Sequence, residues 1–178
     1  MTMLSIVIPA YNEEKGIEEI MRRVLEVRPA LAEVGVNEME LLVVNDGSRD
    51  RSAEVAKEVA GDDPHVRIIS HPKNRGYGAA CNRGARETVR PYLLFLNSDA
   101  YLRPGAVDAL AAALEASSGA AAAAPRLSNP DGSLQPSIQR LPSPWRIFCE
   151  SSGLAFLSGG RPPFAGHSAT REDHGRPR

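Results

Sequence analysis

The chain has 178 residues, enough for one domain with its own hydrophobic core and an appendage, so neither a metal nor a disulfide is needed to hold it together. Its composition, 42% hydrophobic and 24% charged, excludes a disordered or fibrous protein. The net charge of -1 speaks against a nucleic-acid partner. Two cysteines, Cys81 and Cys149, exclude a disulfide framework and a four-thiolate zinc site.

No apolar stretch approaches the ~18 residues that would span a bilayer, and residues 1–9 lack the basic head of a secretory signal. We therefore expect a cytoplasmic protein. Contact with a membrane, at its inner face, is expected to be peripheral at most.

Strand and helix signals alternate along the first two thirds of the chain. Residues 4–8 form a β-branched apolar run and predict a buried strand. Residues 17–25 carry apolar side chains at helical spacing, and Arg28-Pro29 is expected to end that helix. Further strands are predicted at 39–44, 66–70 and 92–96, and further helices at 52–60, 78–87 and 104–116. This alternation predicts an α/β fold with a mostly parallel central sheet.

The signals are weaker beyond residue 119. Residues 120–124 are alanines between a glycine and a proline, and they predict a buried strand or a short helix. Residues 129–132 predict a tight turn, and residues 143–150 predict a helix that opens at a serine and a proline. Residues 158–178 are rich in Gly, Pro, Ser and Arg and are predicted to be disordered.

Polar clusters follow three of the predicted strands. They are residues 11–13, residues 45–48 and residues 97–99. Ligands of parallel α/β sheets bind at the carboxyl ends of the strands, so the three clusters together predict a binding site at that edge.

Asp46 is a candidate for reading a nucleotide base. A carboxylate accepts a hydrogen bond from an imino N–H, which uracil, thymine and guanine have on their pairing edge and which adenine and cytosine lack. The alternative is a local role for Asp46, as an Asx turn or as a helix cap before Ser52.

Asn97-Ser98-Asp99 is a candidate metal and diphosphate motif. Mg²⁺ or Mn²⁺ commonly takes one or two carboxylates from the protein and its remaining ligands from phosphate and water. The alternative is a simple turn into the next helix.

Residues 74–84 form a glycine-rich loop that leads into a predicted helix. Gly76 and Gly78 allow the backbone to approach a ligand, but Cys81 departs from the dinucleotide fingerprint and the loop does not follow the first strand. An oxidoreductase with a nicotinamide cofactor is disfavoured for this reason.

The remaining reactive side chains are predicted to have structural roles. The four histidines have no metal-ligand spacing and are interpreted as surface or tail residues; they are His65, His71, His167 and His174. Cys81 is interpreted as a small packing residue rather than a nucleophile.

In their order along the chain, the motifs at residues 5–14, 43–48, 74–84 and 95–100 resemble the inverting family 2 glycosyltransferases of the GT-A fold. The resemblance covers residues 3–140. Residues around 103–106, 125–127 and 129–133 are similar to the rhamnosyltransferase-like branch, which builds bacterial surface polysaccharide.

The resemblance implies a role for each matching residue. Four line the nucleoside pocket (Pro9, Ala10, Tyr11 and Glu13) and Asp46 contacts the base. Three more lie along the donor (Asn74, Gly78 and Asn82), and two match the metal-and-diphosphate motif (Asn97 and Asp99), with Asp99 as the direct ligand of Mg²⁺ or Mn²⁺.

The resemblance also implies the reaction and the domain plan. A UDP-, dTDP- or GDP-linked sugar would pass to a saccharide or polyprenyl-linked acceptor in cell-surface polysaccharide synthesis. The expected plan is a nucleotide-sugar-binding domain at 1–140, a partial acceptor-side segment at 141–157 and the tail. The family's catalytic base is expected beyond the C-terminus, so the alternative is a truncated, catalytically weak binding module.

Overall fold

The computed structural model describes residues 2–33, 36–135 and 143–157. The chain divides into two compact units, Met1–Gly105 and Ala106–Arg178. The domain boundary at residue 140 stays a prediction, and the tail predicted at 158–178 lies outside the described residues.

The first unit is an α/β sandwich built on four parallel strands. Its elements, in chain order, are β1 (Thr2–Ala10), α1 (Ile17–Glu26), α2 (Arg28–Glu33), β2 (Val36–Asn45), α3 (Ser52–Ala60), β3 (Val66–Ser70), α4 (Tyr77–Arg86) and β4 (Tyr92–Phe95). The strands lie in the order β3-β2-β1-β4 and all pair in parallel. The predicted α/β fold with a mostly parallel sheet is therefore confirmed.

The register of the sheet places the strand ends side by side. Ala10 pairs with Asn45, and Asn45 pairs with Ser70, so β1, β2 and β3 end level with one another. The edge strand β4 ends opposite Val7, and the N–H of the next residue, Leu96, donates to the Val7 carbonyl at 2.9 Å. The loops that follow all four strands consequently leave from one edge of the sheet.

The two central strands are buried on both faces, which explains why their sequences are continuously apolar. Val7, Leu42 and Val44 form a cluster with Ala80 of α4, so α4 covers one face of the sheet. The neighbouring positions point to the opposite face, because side chains alternate along a strand. These positions are also fully buried: Ile6, Ile8, Leu41 and Val43.

The prediction that α1 ends at Arg28-Pro29 is confirmed, but the chain does not leave helical structure there. α1 ends at Glu26, but α2 begins at once with Arg28 and carries Pro29 as its second residue. Proline is tolerated in the first turn of a helix, where its missing N–H would have no partner within the helix. The proline thus starts a new helix after a break at Val27.

The second unit contains α5 (Ala106–Ala116), α6 (Pro144–Ser151) and α7 (Leu154–Leu157). Ser143 caps α6 by accepting a hydrogen bond from the Arg146 N–H, as the predicted helix start requires. The predicted turn is also present, with the Gly132 N–H donating to the Asn129 carbonyl at 2.9 Å. No helix in the described part of the chain is long and apolar enough to cross a bilayer.

Both interpretations of residues 120–124 are wrong. These alanines are exposed and form neither a strand nor a helix. A methyl side chain buries little apolar surface, so five of them supply little free energy for packing against other elements. Gly119, which has a φ of 93°, and Pro125 also interrupt regular structure at either end.

Candidate functional site

The loop after β1 is bonded to the loop after β2 through small polar side chains. The Asn12 N–H donates to Ser48 Oγ at 3.0 Å, and Asn12 Oδ1 in turn accepts from the Arg49 N–H at 2.9 Å. The Glu13 N–H donates to Ser52 Oγ at 2.7 Å. Each bond joins a backbone group of one loop to a side chain of the other, so the two loops hold a fixed relative position.

Asp50 adds to this connection and also organises the start of α3. Its carboxylate accepts from the Ser52 N–H at 3.0 Å and from the Glu14 N–H at 3.2 Å. Burial raises the pKa of Asp50, but hydrogen bonds from the Ser52 hydroxyl and from the Ser52 and Glu14 N–H groups outweigh that effect and lower the pKa below its usual 3.8. Asp50 is therefore an anionic acceptor for two loops at neutral pH.

Asp46, directly after β2, is the buried centre of the loops. It is 3% exposed, and its backbone N–H donates to the Ala10 carbonyl at 2.8 Å. Its Oδ1 lies 2.6 Å from His71 Nδ1, and both carboxylate oxygens accept from the Arg75 N–H at 3.0 Å. Oδ2 also accepts from the Gly76 N–H at 2.7 Å. The loop after β3 is thus held by the carboxylate of the loop after β2.

These contacts keep Asp46 charged despite its burial. Desolvation raises the pKa of the Asp46 carboxyl. Hydrogen bonds from His71 and from the backbone of Arg75 and Gly76, together with the electrostatic effect of the same His71 ring, lower this pKa below its usual 3.8. The carboxylate of Asp46 is thus bonded to the loop after β3 rather than to its own loop, where the preceding residue makes the local bond: Asn45 Oδ1 accepts from the Ser48 N–H, three residues on, at 3.1 Å.

Gly47 allows the loops after β2 and β3 to touch. Its φ is 71°, and a Cβ at this position would lie 2.4 Å from the Lys73 carbonyl carbon and 2.6 Å from the Asn74 nitrogen. Any other residue would force the backbone of the second loop away. The glycine is therefore required both by its conformation and by the close approach.

The predicted site residues lie around this edge with different exposure. Pro9 and Ala10 are buried at the end of β1, and Asp46 is buried beside them. The others are exposed or, for Glu13, partly exposed; they are Tyr11, Asn74, Gly78, Asn82, Asn97 and Asp99. All of them belong to the first compact unit.

The loop after β3 leads into α4 through Gly76, which has a φ of 90°. Asn74 Oδ1 accepts from the Gly76 N–H at 2.9 Å, and this bond fixes the loop just before the helix begins. Gly78 and Asn82 are one turn apart on α4 and both are exposed. A Cβ on Gly78 would meet no atom within 4 Å, so open space lies in front of this residue.

The loop after β4 carries the predicted metal motif. A turn, closed by the Ala100 N–H donating to the Asn97 carbonyl at 3.1 Å, contains Asn97 and Asp99. Further along the loop, the ring of Tyr101 stacks under the Arg23 guanidinium of α1 at 4.1 Å from its centroid. This contact attaches the loop to the first helix.

The described residues contain no cluster of three or more His, Cys, Asp or Glu side chains that could enclose a metal ion. Asp99, an exposed carboxylate in a turn, instead fits a cation that takes one protein carboxylate and completes its shell with phosphate and water. The side chains present therefore suit a metal held jointly with a diphosphate.

His71 is the main residue that sequence reasoning placed wrongly. It was expected on the surface, but it is 6% exposed and contacts Asp46. The same rule that selected the other clusters selects it, because His71 directly follows β3 at the carboxyl edge. By contrast His65, just before β3, is exposed as expected, and Cys81 is buried as expected for a packing residue. His167 and His174 lie outside the described residues.

A parallel sheet with polar loops at its carboxyl edge is typical of α/β folds that bind nucleotides. The model of the family described as glycosyl transferase family 2 matches residues 5–171, and the chain belongs to this family. The branch within the family is not specified by this match.

Curated relatives agree with this membership. The chain is 36% identical over 100 residues to the uncharacterised glycosyltransferase EpsJ of Bacillus subtilis, covering 56% of this chain and 27% of EpsJ. It is 34% identical over 97 residues to dolichyl-phosphate beta-glucosyltransferase ALG5A of Trichomonas vaginalis, covering 54% of this chain and 30% of ALG5A. The chain thus spans less than a third of the length of these relatives.

The fold is also similar to solved structures. TarS of S. aureus, residues 1–349, matches with a TM-score of 0.50 and 24% identity over 65% of this chain and 33% of that chain. The same TarS fragment has been solved in complex with UDP-GlcNAc. This likeness confirms the GT-A fold over the part of the chain that it covers.

Proposed function

We propose that this chain binds a nucleoside-diphosphate sugar at the carboxyl edge of its sheet and transfers the sugar to an acceptor hydroxyl. The observation that carries the proposal is the position of Asp46, an anionic carboxylate at the point where the loops after β1, β2 and β3 meet. Membership of glycosyl transferase family 2 supports the same conclusion.

Asp46 is proposed to recognise the base. The carboxylate has about four acceptor positions for three protein donors, because the Arg75 N–H is shared between both oxygens while His71 and Gly76 each bond to one. The imino N–H of uracil, thymine or guanine is proposed to take the position that is left when the Arg75 N–H bonds to a single oxygen. Ala10, whose carbonyl is bonded to Asp46, and the adjacent Pro9, Tyr11 and Glu13 would line the nucleoside pocket.

The diphosphate and sugar are proposed to extend past Asn74, Gly78 and Asn82. The open space in front of Gly78 supports this path, because the backbone of a ligand-facing glycine can be approached closely. Asn74 and Asn82 are exposed on either side of it and can donate amide hydrogen bonds to the ligand.

Asp99, with Asn97, is proposed to hold a divalent cation, Mg²⁺ or Mn²⁺, against the diphosphate. Such a cation, when bound, stabilises the negative charge of the leaving group. Because Asp99 is one exposed carboxylate, we expect weak metal binding without nucleotide.

The acceptor is proposed to be a saccharide or a polyprenyl-linked molecule, and the role to be cell-surface polysaccharide synthesis. One similar protein is named as a dolichyl-phosphate glucosyltransferase and another as a chondroitin synthase, which supports these two acceptor classes. We propose a cytoplasmic location, in which contact with the inner face of the membrane is peripheral at most.

Calorimetric titration of the 178-residue chain with a nucleotide panel tests the proposal. In the presence of Mn²⁺, UDP, dTDP and GDP are expected to bind at least about tenfold more tightly than CDP and ADP, because a hydrogen bond to a charged group contributes roughly 1.5–3 kcal/mol. Equal binding of all five nucleotides would contradict the role of Asp46.

Two matched variants test the metal site in the same titration. Asp99→Asn is expected to reduce the effect of Mn²⁺ on UDP or GDP binding. Asp62→Asn removes an exposed carboxylate in the turn before β3, at the opposite edge of the sheet. This variant is expected to leave the effect of Mn²⁺ on nucleotide binding unchanged. Unchanged metal dependence in Asp99→Asn would overturn the assignment. Measurement of sugar release from the donor then separates transfer from binding alone.

A further inference from the structure

His71 occupies a position between two strands and two loops. Its backbone N–H donates to the Asn45 carbonyl at 2.9 Å, directly beyond the last pair of β2 and β3. This bond continues the ladder by one residue and fixes the Cα of His71 relative to β2. The imidazole is 5% exposed and points to the carboxylate of Asp46 on the neighbouring loop.

The contact with Asp46 determines which nitrogen of the His71 imidazole carries a proton. Asp46 is held in its charged form, and a charged carboxylate has no proton to donate. His71 Nδ1, 2.6 Å from Asp46 Oδ1, must therefore carry the proton of this hydrogen bond. The less common Nδ1–H form of the ring, or the doubly protonated ring, satisfies this requirement.

The bond also limits the rotation of the Asp46 carboxylate. With Oδ1 held by His71, Oδ2 faces the Gly76 N–H at 2.7 Å, and the Arg75 N–H lies 3.0 Å from both oxygens. Rotation of the carboxylate would break these contacts together. The backbone of the loop that enters α4 is therefore ordered through Asp46 by the imidazole of His71.

We propose that His71 is a positioning residue of the donor site, which acts through Asp46 to set both the base-reading carboxylate and the Asn74–Gly76 backbone. The part of this inference that concerns nucleotide affinity rests on the proposed function. The part that concerns the proton and the loop stands on the contacts alone. His71 itself is not assigned a contact with the ligand.

The chain offers a conservative variant and a matched control. In His71→Asn the side-chain amide can place an N–H where Nδ1–H lies, whereas His71→Leu has a similar size and no donor. His65 lies at the other end of β3 and is exposed, so His65→Leu removes a histidine from the same strand without touching the site.

Nitrogen-15 NMR of the free protein gives the readout that does not depend on ligand. The wild type is expected to show a protonated Nδ1 on His71, and amide signals of Arg75 and Gly76 shifted by their bonds to a carboxylate. His71→Leu should move these two amide signals and speed their hydrogen exchange at least about tenfold, while His71→Asn and His65→Leu should not. An unprotonated Nδ1 in the wild type, or unchanged amides in a folded His71→Leu, would overturn the inference.

Nucleotide titration gives the second readout. His71→Leu is expected to bind UDP or GDP about tenfold more weakly than the wild type, and His71→Asn within about threefold.

If the wild type binds no nucleotide, the proposed function fails and the NMR readout still decides the role of His71. If the wild type binds and His71→Leu binds equally well, the inference fails and the proposed function stands. If His71→Leu does not fold, a tenfold loss in folded His71→Asn is the result that contradicts positioning by an N–H donor.

Discussion

At the scale of the residue, Asp46 combines burial with charge. Only 3% of the residue is exposed, yet its hydrogen bonds lower the pKa of the carboxyl below 3.8. A buried carboxylate without partners would take up a proton instead. The donors from His71, Arg75 and Gly76 therefore keep this carboxylate charged in a place that water does not reach freely.

The lowered pKa makes the stability of the protein dependent on pH. Because the pKa of Asp46 is lower in the folded than in the unfolded chain, its contribution is complete above the unfolded value of about 3.9 and is lost as the pH falls through the folded value. Urea unfolding of wild type and Asp46→Asn between pH 3 and 7 measures this contribution. The wild type is expected to be more stable by about 1–3 kcal/mol near pH 7, and the difference should shrink below about pH 4.

Asp62→Asn serves as the control for an exposed carboxylate and is expected to leave the free energy of unfolding almost unchanged across the range. A difference between wild type and Asp46→Asn that stays constant with pH would show that the carboxyl does not titrate with a lowered pKa.

At the scale of the element, the strands and helices of the first unit were largely predictable. Long apolar runs specify β1 and β2 because both faces of these strands are covered. The failures occurred where local rules allow two outcomes. Helix α1 ends before Pro29 as predicted, but Pro29 also lies in the first turn of α2, a helix that was not predicted. The alanines at 120–124 have helix propensity but no large side chain to pack, so propensity alone gave the wrong answer.

The packing of α4 on β1 depends on a glycine. A Cβ on Gly84 would lie 2.4 Å from Val7 Cγ1, and Val7 is fully buried between its neighbouring strands. Gly84→Ala is therefore expected to destabilise the protein by about 1–3 kcal/mol despite the better helix propensity of alanine. Gly78→Ala, on the same helix with open space around it, is expected to be neutral or slightly stabilising.

Thermal or urea unfolding of the two variants under the same conditions checks this expectation. A Gly84→Ala protein as stable as Gly78→Ala would mean that α4 can move away from the sheet at little cost, contrary to the close contact with Val7.

At the scale of the whole molecule, the sequence predicted which loops share one edge of the sheet but not the bonds between them. The rule that ligands bind at the carboxyl ends of parallel strands was sufficient to select the loops after β1, β2 and β4. The bonds from Ser48 and Ser52 to the first loop join residues 36 and 39 positions apart. No local pattern contains that information, because it depends on the register of β1 with β2.

Ligand binding should affect the two compact units differently. All the proposed donor contacts lie in Met1–Gly105, so a nucleotide at about 100 times its Kd should stabilise that unit by roughly 2.7 kcal/mol. Hydrogen exchange with and without GDP or UDP is expected to show about 100-fold slower exchange for the most protected amides of the sheet. Amides of α5 and α6 should be unaffected. Equal slowing in both units would show that they open together.

The bonds between the first two loops have an evolutionary consequence. They join backbone N–H groups to a few short side chains, chiefly Asn12, Ser48 and Ser52, which leaves the exposed side chains of the loops, such as Tyr11 and Arg49, free of that task. Substitutions at those exposed positions would change the surface of the loops while the hydrogen bonds between the loops persist. A small set of short polar residues thereby allows the exposed surface of these loops to diverge without the fold being rebuilt.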